Sequence, residues 1–408
     1  MMDNHEVLVL RPDGSAYDSE RAVILESGPA VLVDLLGVRA WSISDPGLCK
    51  KLLSGSRTSK NPRNWPRYPS GIAGKWPLVA LVLLKSLSTT EDADHRRIRD
   101  LVAPAFSTQR VKALGERIEE HAGSLLDALT AAPPRHATDI MEHYAAALAA
   151  FAMGEVLGLP ERMRPSFQKV AAATFNTTLD VQEQAANINE FFRLIRDLVD
   201  TKRAEPGDDL ASRLVTSHDQ DRALTERELT GLLANMITPG HVLPAGLLGN
   251  AVVAMLSDRS QLTHVHAGRA TWGDVVEETL RLQGPVKQIP MRYALEDIRI
   301  TDELTIRRGD PILIPFAIFG HHPNLHGNTT GTFDATRPDK EHLAFGHGPH
   351  YCLGASLARL QATIALPALF DRFPDMRLAA PAATLPRQPS ALVNGYAKIP
   401  VHLNGSTT

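Results

Sequence analysis

Residues 345–354 read Phe-Gly-His-Gly-Pro-His-Tyr-Cys-Leu-Gly, a glycine-rich loop that delivers one cysteine, Cys352. Small residues let a backbone pass close to a flat object. A helical pattern, Ala355 to Gln361, follows at once. The sulfur therefore stands at a helix N-terminus, where unpaired N–H groups and the helix dipole favour thiolate over thiol. An anionic sulfur ringed by donors suits an axial ligand to iron. A lone cysteine on a tight turn reads more simply as a buried, inert thiol; the residues around this one argue against that. Two further pairs have helical spacing. Glu278 and Arg281 stand three apart and share a face. His95 and Arg99 stand four apart and do the same. Taken alone, the first pair is a weak solvated ion pair and the second a solvated face crowded by Arg96 and Arg97.

Together these residues resemble the cytochromes P450. The family's haem loop is Phe-Gly-x-Gly-x-His-x-Cys-x-Gly followed by Ala-Arg, and every fixed position is met in order. Glu278 and Arg281 resemble its Glu-x-x-Arg motif, and Arg337 resembles the arginine that joins the pair. In the resemblance these three are structural, holding the cysteine loop to the core. His95 and Arg99 resemble its His-x-x-x-Arg, and Arg292, after a strand expected over Pro285–Met291, resembles its propionate-binding arginine. With His350 of the loop, they are expected to hold the two carboxylates of haem b (heme, iron protoporphyrin IX), with Cys352 as the iron ligand.

The resemblance implies a mainly α fold with a small β region, the haem lying between the long central helix and the cysteine-loop helix. It spans nearly the whole chain and implies a single domain over 1–408. The implied function is a monooxygenase that hydroxylates or otherwise oxidatively tailors a small, largely apolar organic molecule. Trp76-Pro77-Leu78 and Ala93-Asp94-His95-Arg96-Arg97 look like actinobacterial members, many of which act in natural-product (secondary metabolite) biosynthesis. Ferredoxin and ferredoxin reductase are the implied electron donors. Arg96, Arg97, Arg110 and Lys112 are a candidate docking patch, equally readable as a solvated cluster.

One stretch departs from the family. Its central helix usually carries an acid and an alcohol that organise water and pass protons. Here the sequence is Pro239-Gly240-His241-Val242-Leu243-Pro244, so Val242 and Leu243 take those positions and cannot relay a proton. Pro244 removes a backbone donor, so the helix is expected to kink and leave the Gly240 carbonyl free. Three readings follow: a monooxygenase that borrows a substrate hydroxyl or water, a peroxygenase or non-oxygenating isomerase, or His241 as proton source. The first ranks highest because the other motifs are complete; for His241, a packed or neighbour-bonded ring is favoured. A further class, non-catalytic partner proteins that have lost haem, lacks the cysteine and is disfavoured by Cys352. Substrate contacts are expected from Trp65, Met236, Val242, Leu243, Val286, Ile289 and Leu392. Trp65, Tyr68, Ile72 and Trp76 could line a pocket or merely tack down their loop.

Composition is compatible. The chain has 408 residues, 43% of them hydrophobic, and a net charge of −3. No basic excess points to nucleic acid. Cys49 and Cys352 are the only cysteines, which fits a reducing cytoplasm. Residues 1–11 show no signal-type apolar core, and apolar runs such as Leu78–Leu84 are far short of a bilayer span, so no membrane anchor is expected. A monomer is expected.

The elements that position these residues are mostly helices. Proline and glycine punctuate helical patterns between about 91 and 257, and Thr225 with Glu228 forms a capping box before a long apolar helix. Another helix is expected over Thr271–Leu282. β-type segments are expected at about 5–45, 286–314 and 386–404.

Overall fold

Thr225 opens the longest helix among the described residues. Its Oγ1 accepts from Glu228 N at 3.3 Å, while Glu228 Oε2 accepts from Thr225 N at 2.9 Å. This reciprocal cap satisfies two donors that a helix start leaves bare. The central helix then runs from Glu226 to Ser257, 32 residues, continuing through Pro239 and Pro244. Each proline lacks the N–H that would bond four residues back, so the carbonyls of Asn235 and Gly240 lose their helical donors. By length and composition this helix could cross a bilayer, but most of its apolar window is buried in protein. A helix apolar on all sides belongs in an interior.

The computed structural model describes residues 6–66, 76–131, 137–220 and 223–404. The fold is mainly α with small sheets. Packed on the central helix are Ala147–Leu157, Arg164–Thr174, Val181–Ala204, Trp272–Gln283 and the cysteine-loop helix, Ala355–Arg372. A six-stranded sheet runs in the order Leu8–Val9, Ala30–Leu35, Val38–Ile43, Pro311–Leu313, Arg292–Ala294, Thr58–Ser59. Its first hairpin turns on Leu36 and Gly37, with φ of 53° and 89°. A two-residue turn with both φ positive matches the twist of the strands it joins.

Several expectations are corrected. The 5–45 segment also contains a helix, Tyr17–Glu26, between its strands. Only Glu20 and Ile24 of that helix are buried, so it carries almost no apolar stripe. Residues 286–291 do not form a strand: the ladder starts at Arg292, and Val286 makes a lone bridge with Val393. Pro285 precedes this stretch and Pro290 lies within it, and neither can donate to a ladder. Within the 91–257 stretch expected to be helical, the chain forms a short strand, Thr138–Asp139, and a π-helical turn, Met141–Ala146, before the helix Ala147–Leu157. Tyr68 and Ile72 lie outside the described residues.

Candidate haem and substrate site

A cavity of about 300 Å³ lies between the central helix and the cysteine loop. The central helix contributes Asn235, Met236, Pro239, Gly240, Leu243, Pro244 and Leu247, and the opposite wall carries Phe345, Gly346, Cys352, Gly354 and Leu357. Cys352 is exposed by area, and it lines this cavity. Burial has the larger effect and leaves the thiol raised, against the thiolate expected from the helix N-terminus, while the Gly354 N–H, the guanidiniums of Arg99 and Arg359, and the Ala355 N–H oppose it. These are the groups that stabilise a thiolate once the proton is displaced.

The loop's shape follows from its glycines. Gly346 and Gly348 have φ of 75° and 71°, in the left-handed region where a side chain is strained. At Gly348 a Cβ would also meet Ser54 Cα at 2.9 Å and the Leu53 carbonyl at 3.0 Å. Cys352 N donates to the Phe345 carbonyl at 2.9 Å, closing the loop on itself. Arg99 donates to the carbonyls of Pro349 and Tyr351, each at 3.1 Å, so it ties the 92–102 helix to the loop.

Glu278 and Arg281 lie behind this loop. Arg281 Nε and Nη2 donate to Glu278 Oε2 and Oε1, both at 2.7 Å. Arg281 also donates to the carbonyls of Gly320, Thr330 and Thr332. Arg337 Nε reaches Glu278 Oε1 at 3.4 Å, and Asp334 N donates to the same oxygen at 2.9 Å. The network holds irregular backbone at 320 and 329–337 against the helix. A flat guanidinium with five donors suits that role. Beside it, Glu277 takes a second fork from Arg359 and a contact from His342.

One edge of the cavity gathers two guanidiniums and two imidazoles. His95, Arg99, Arg292 and His350 all line it, and the rings of His95 and His350 lie 4.4 Å apart. Arg292 Nε donates to Thr58 Oγ1 at 2.8 Å, but its Nη1 is buried without a partner, as is His95 Nε2. Burial, aided by Lys60, His95 and Arg292, pushes His350 down to about 3. Burial and Arg99 likewise lower His95. Orphaned buried donors and crowded like charges call for an anion. A flat apolar group with two carboxylates on one edge and an iron for the sulfur answers all three demands, so the residues present fit haem b.

Of the expected substrate contacts, Met236, Leu243, Val286 and Ile289 line the cavity. Val242, Trp65 and Leu392 do not; they belong to a separate apolar cluster. Val242 is one helical step from Leu243, which turns its side chain to another face. Trp65 is taken by Tyr293, stacked at 5.9 Å, and by Trp76, edge-on at 6.2 Å. The Leu392 carbonyl accepts from Lys287 N, fixing the 285–289 segment. His241 is buried away from the cavity, and its Nδ1 donates to the Ile237 carbonyl of its own helix at 2.7 Å. Burial lowers its pKa.

Among the lining residues that the sequence reading missed, four carry polar or close contacts. Lys60, Ser88, Met153 and Asn235 all face the cavity. Asn235 Nδ2 donates to Ser88 Oγ at 3.2 Å, a polar spot on an otherwise apolar wall. Met153 packs where a Gly240 side chain would be, 2.2 Å from its ideal Cβ. A glycine inside a helix was the available signal for Met153; no motif marks the other three. Of the candidate docking cations, Arg97 bonds Glu228 at 2.6 Å and Arg110 bonds Asp208 at 2.9 Å. Arg96 and Lys112 stay exposed.

Comparison with known proteins gives a consistent result. Residues 272–381 match the family model for Cytochrome P450. The chain is 40% identical over 399 residues to 2-hydroxy-5-methyl-1-naphthoate 7-hydroxylase of Streptomyces carzinostaticus, covering 97% of each. It is 33% identical to the cytochrome P450 monooxygenase PikC of Streptomyces venezuelae, covering 90% of this chain and 85% of that one. The solved structure of CYP154A1 from Streptomyces coelicolor A3(2) superposes with a TM-score of 0.94 at 43% identity, covering 97% of this chain and all of that one.

Proposed function

This chain belongs to the cytochrome P450 family and is a haem-thiolate monooxygenase; we propose that its substrate is a small, largely apolar molecule of a natural-product pathway, held in the cavity over the haem. When bound, the haem supplies the activation of dioxygen, helped by electron density from the thiolate. In the proposed assignment Cys352 ligates the iron, and His95, Arg99, Arg292 and His350 hold or surround its carboxylates. The observation that carries this is the single cavity that joins the sulfur to the orphaned cationic edge. Met236, Leu243, Val286 and Ile289 would orient substrate by apolar contact, and the Asn235–Ser88 pair offers the polar contact. The relative at 40% identity is named for hydroxylation of a naphthoate, which supports a compact aromatic substrate.

Proton delivery is proposed to use water or a substrate hydroxyl. Neither Val242 nor Leu243 can carry a proton, His241 points away from the cavity, and the Gly240 carbonyl beside Pro244 can hold a hydroxyl or water. Bacterial enzymes of this type generally take electrons from ferredoxin and its reductase, and we assign such a donor here. We assign it to the cytoplasm, a reading supported by the burial in protein of the span-length helix Glu226–Ser257. We assign one catalytic unit over 1–408, acting as a monomer. A second reading, peroxide-driven or non-oxygenating chemistry, is favoured by the same Val242–Leu243 pair.

The test is spectroscopic. Reduced protein under carbon monoxide is expected to show the strongly red-shifted band of thiolate-bound haem, and Cys352→Ala to lose it. An intact band in that variant refutes the assignment. Shifts of the Soret band then identify substrates, and turnover with ferredoxin against peroxide alone separates the two readings.

A further inference from the structure

Thr58–Ser59 pairs antiparallel with Arg292–Ala294, in the register Thr58↔Ala294 and Ser59↔Tyr293. The next pair in that register is Lys60 opposite Arg292. Side chains directly opposite in a ladder share a face. Two observations agree with that face. Arg292 Nε donates to Thr58 Oγ1, two residues before Lys60, and both Lys60 and Arg292 line the cavity. Tyr293, which must point the other way, stacks on Trp65 outside it.

Like charges opposite one another destabilise a ladder unless something lies between them. The nearby carboxylate is Glu91, and both its oxygens are engaged: Ser59 Oγ donates to Oε2 and the Lys60 main-chain N–H to Oε1. No hydrogen bond or ion pair to the Lys60 ammonium is found among the described residues, and Arg292 Nη1 is buried and unpartnered. His95 and His350 face the same edge, so every other titratable neighbour there is a potential cation. Burial and Arg292 together depress Lys60 to about 7, although Glu91 opposes them.

We propose that Lys60 and Arg292 form a cross-strand clamp that receives one carboxylate of the porphyrin. The inference rests on the haem assignment and adds a residue that no motif in the chain marks. The carboxylate would bring the missing charge between two cations already held on one strand face. Lys60 then acts as a cofactor contact, with no part in the proton path.

The experiment compares holoenzymes carrying Lys60→Met and Lys60→Arg with the unaltered protein. Haem transfer to excess apomyoglobin is timed, and the iron midpoint potential is measured. Lys60→Met is expected to lose haem about tenfold faster, the scale of one charge-assisted hydrogen bond, and to have a more negative potential. Lys60→Arg, which keeps the charge, is expected to restore both. If Lys60→Met takes up no haem while Lys60→Arg does, the clamp is also supported. Unchanged transfer and potential in Lys60→Met overturn it, as does equal impairment of both variants, which would mark a steric role. The carbon monoxide band, read on the same samples, separates failure of the clamp from failure of the haem-thiolate assignment.

Discussion

Glu278 and Arg281 hold each other through two parallel hydrogen bonds of 2.7 Å, with both side chains wholly buried. A buried pair of this kind contributes little net stability against apolar replacements, but breaking it leaves a charge stranded. Arg281→Lys keeps the charge and loses the fork together with contacts to three carbonyls. It is expected to cost about 3–5 kcal/mol, measured by thermal or denaturant unfolding, with haem content falling in parallel. Arg337→Lys, whose partner lies at 3.4 Å, is expected to cost about 1 kcal/mol.

Gly348 and Gly346 separate backbone strain from steric contact. Both have positive φ, but only Gly348 lacks room for a Cβ; at Gly346 the nearest atom is 3.7 Å away. Gly346→Ala should therefore cost about 1 kcal/mol and Gly348→Ala about 2–3 kcal/mol. Unfolding of the two variants side by side checks this. Equal losses would mean that Ser54 and Leu53 move aside freely.

Leu243 lines the cavity where the family carries an alcohol. Leu243→Thr is expected to change product formed per reductant consumed by about twofold or more, because a positioned proton donor is worth orders of magnitude in rate. Reductant consumption, peroxide release and product are measured together. An unchanged ratio would show that protons are managed elsewhere.

Glu228 caps the central helix and takes Arg97 and Lys85 as well. Burial raises its carboxyl, but hydrogen bonds from Thr225, Arg97 and Lys85 outweigh that and hold it at about 2, against 4.5 for the free group. A depressed carboxyl contributes stability above its unfolded pKa and loses it as pH falls through the folded value. Glu228→Gln should thus cost about 1–2 kcal/mol at pH 7, allowing for the partly exposed cations. The gap to the unaltered protein should close between about pH 4.5 and 2. Melting temperature against pH is the measurement, and a gap that persists at pH 2 would assign the loss to packing.

The chemistry was most legible where it depends on local spacing. Cys352, Gly346, Gly348, His350, and the pairs Glu278–Arg281 and His95–Arg99 each sit within one loop or one helix turn, and periodicity alone brings them together. The capping box at Thr225 was legible for the same reason. Residues whose role depends on distant pairing were not. Lys60 sits one step beyond a ladder that pairs Ser59 with Tyr293, 234 positions away, and nothing near Lys60 in the chain announces it. The helix Tyr17–Glu26 escaped because only two of its residues are buried. Residues 286–291 looked like a strand because extended apolar backbone and a paired strand have the same composition; only the partner distinguishes them. Val242 was assigned to the pocket by alignment of motifs, and a single helical step placed it in a different cluster.

The central helix has a consequence for biosynthesis. As it leaves the ribosome it is a span-length apolar segment, and only its earlier partners, such as Arg164–Thr174, have been made. Its later covers, Trp272–Gln283 and Ala355–Arg372, emerge last. Until about 115 further residues are added, at roughly 5–20 per second, part of that surface has no native shelter. Temporary shelter for that surface, before its last native partners are made, is therefore a demand that this architecture places on the cell that makes it.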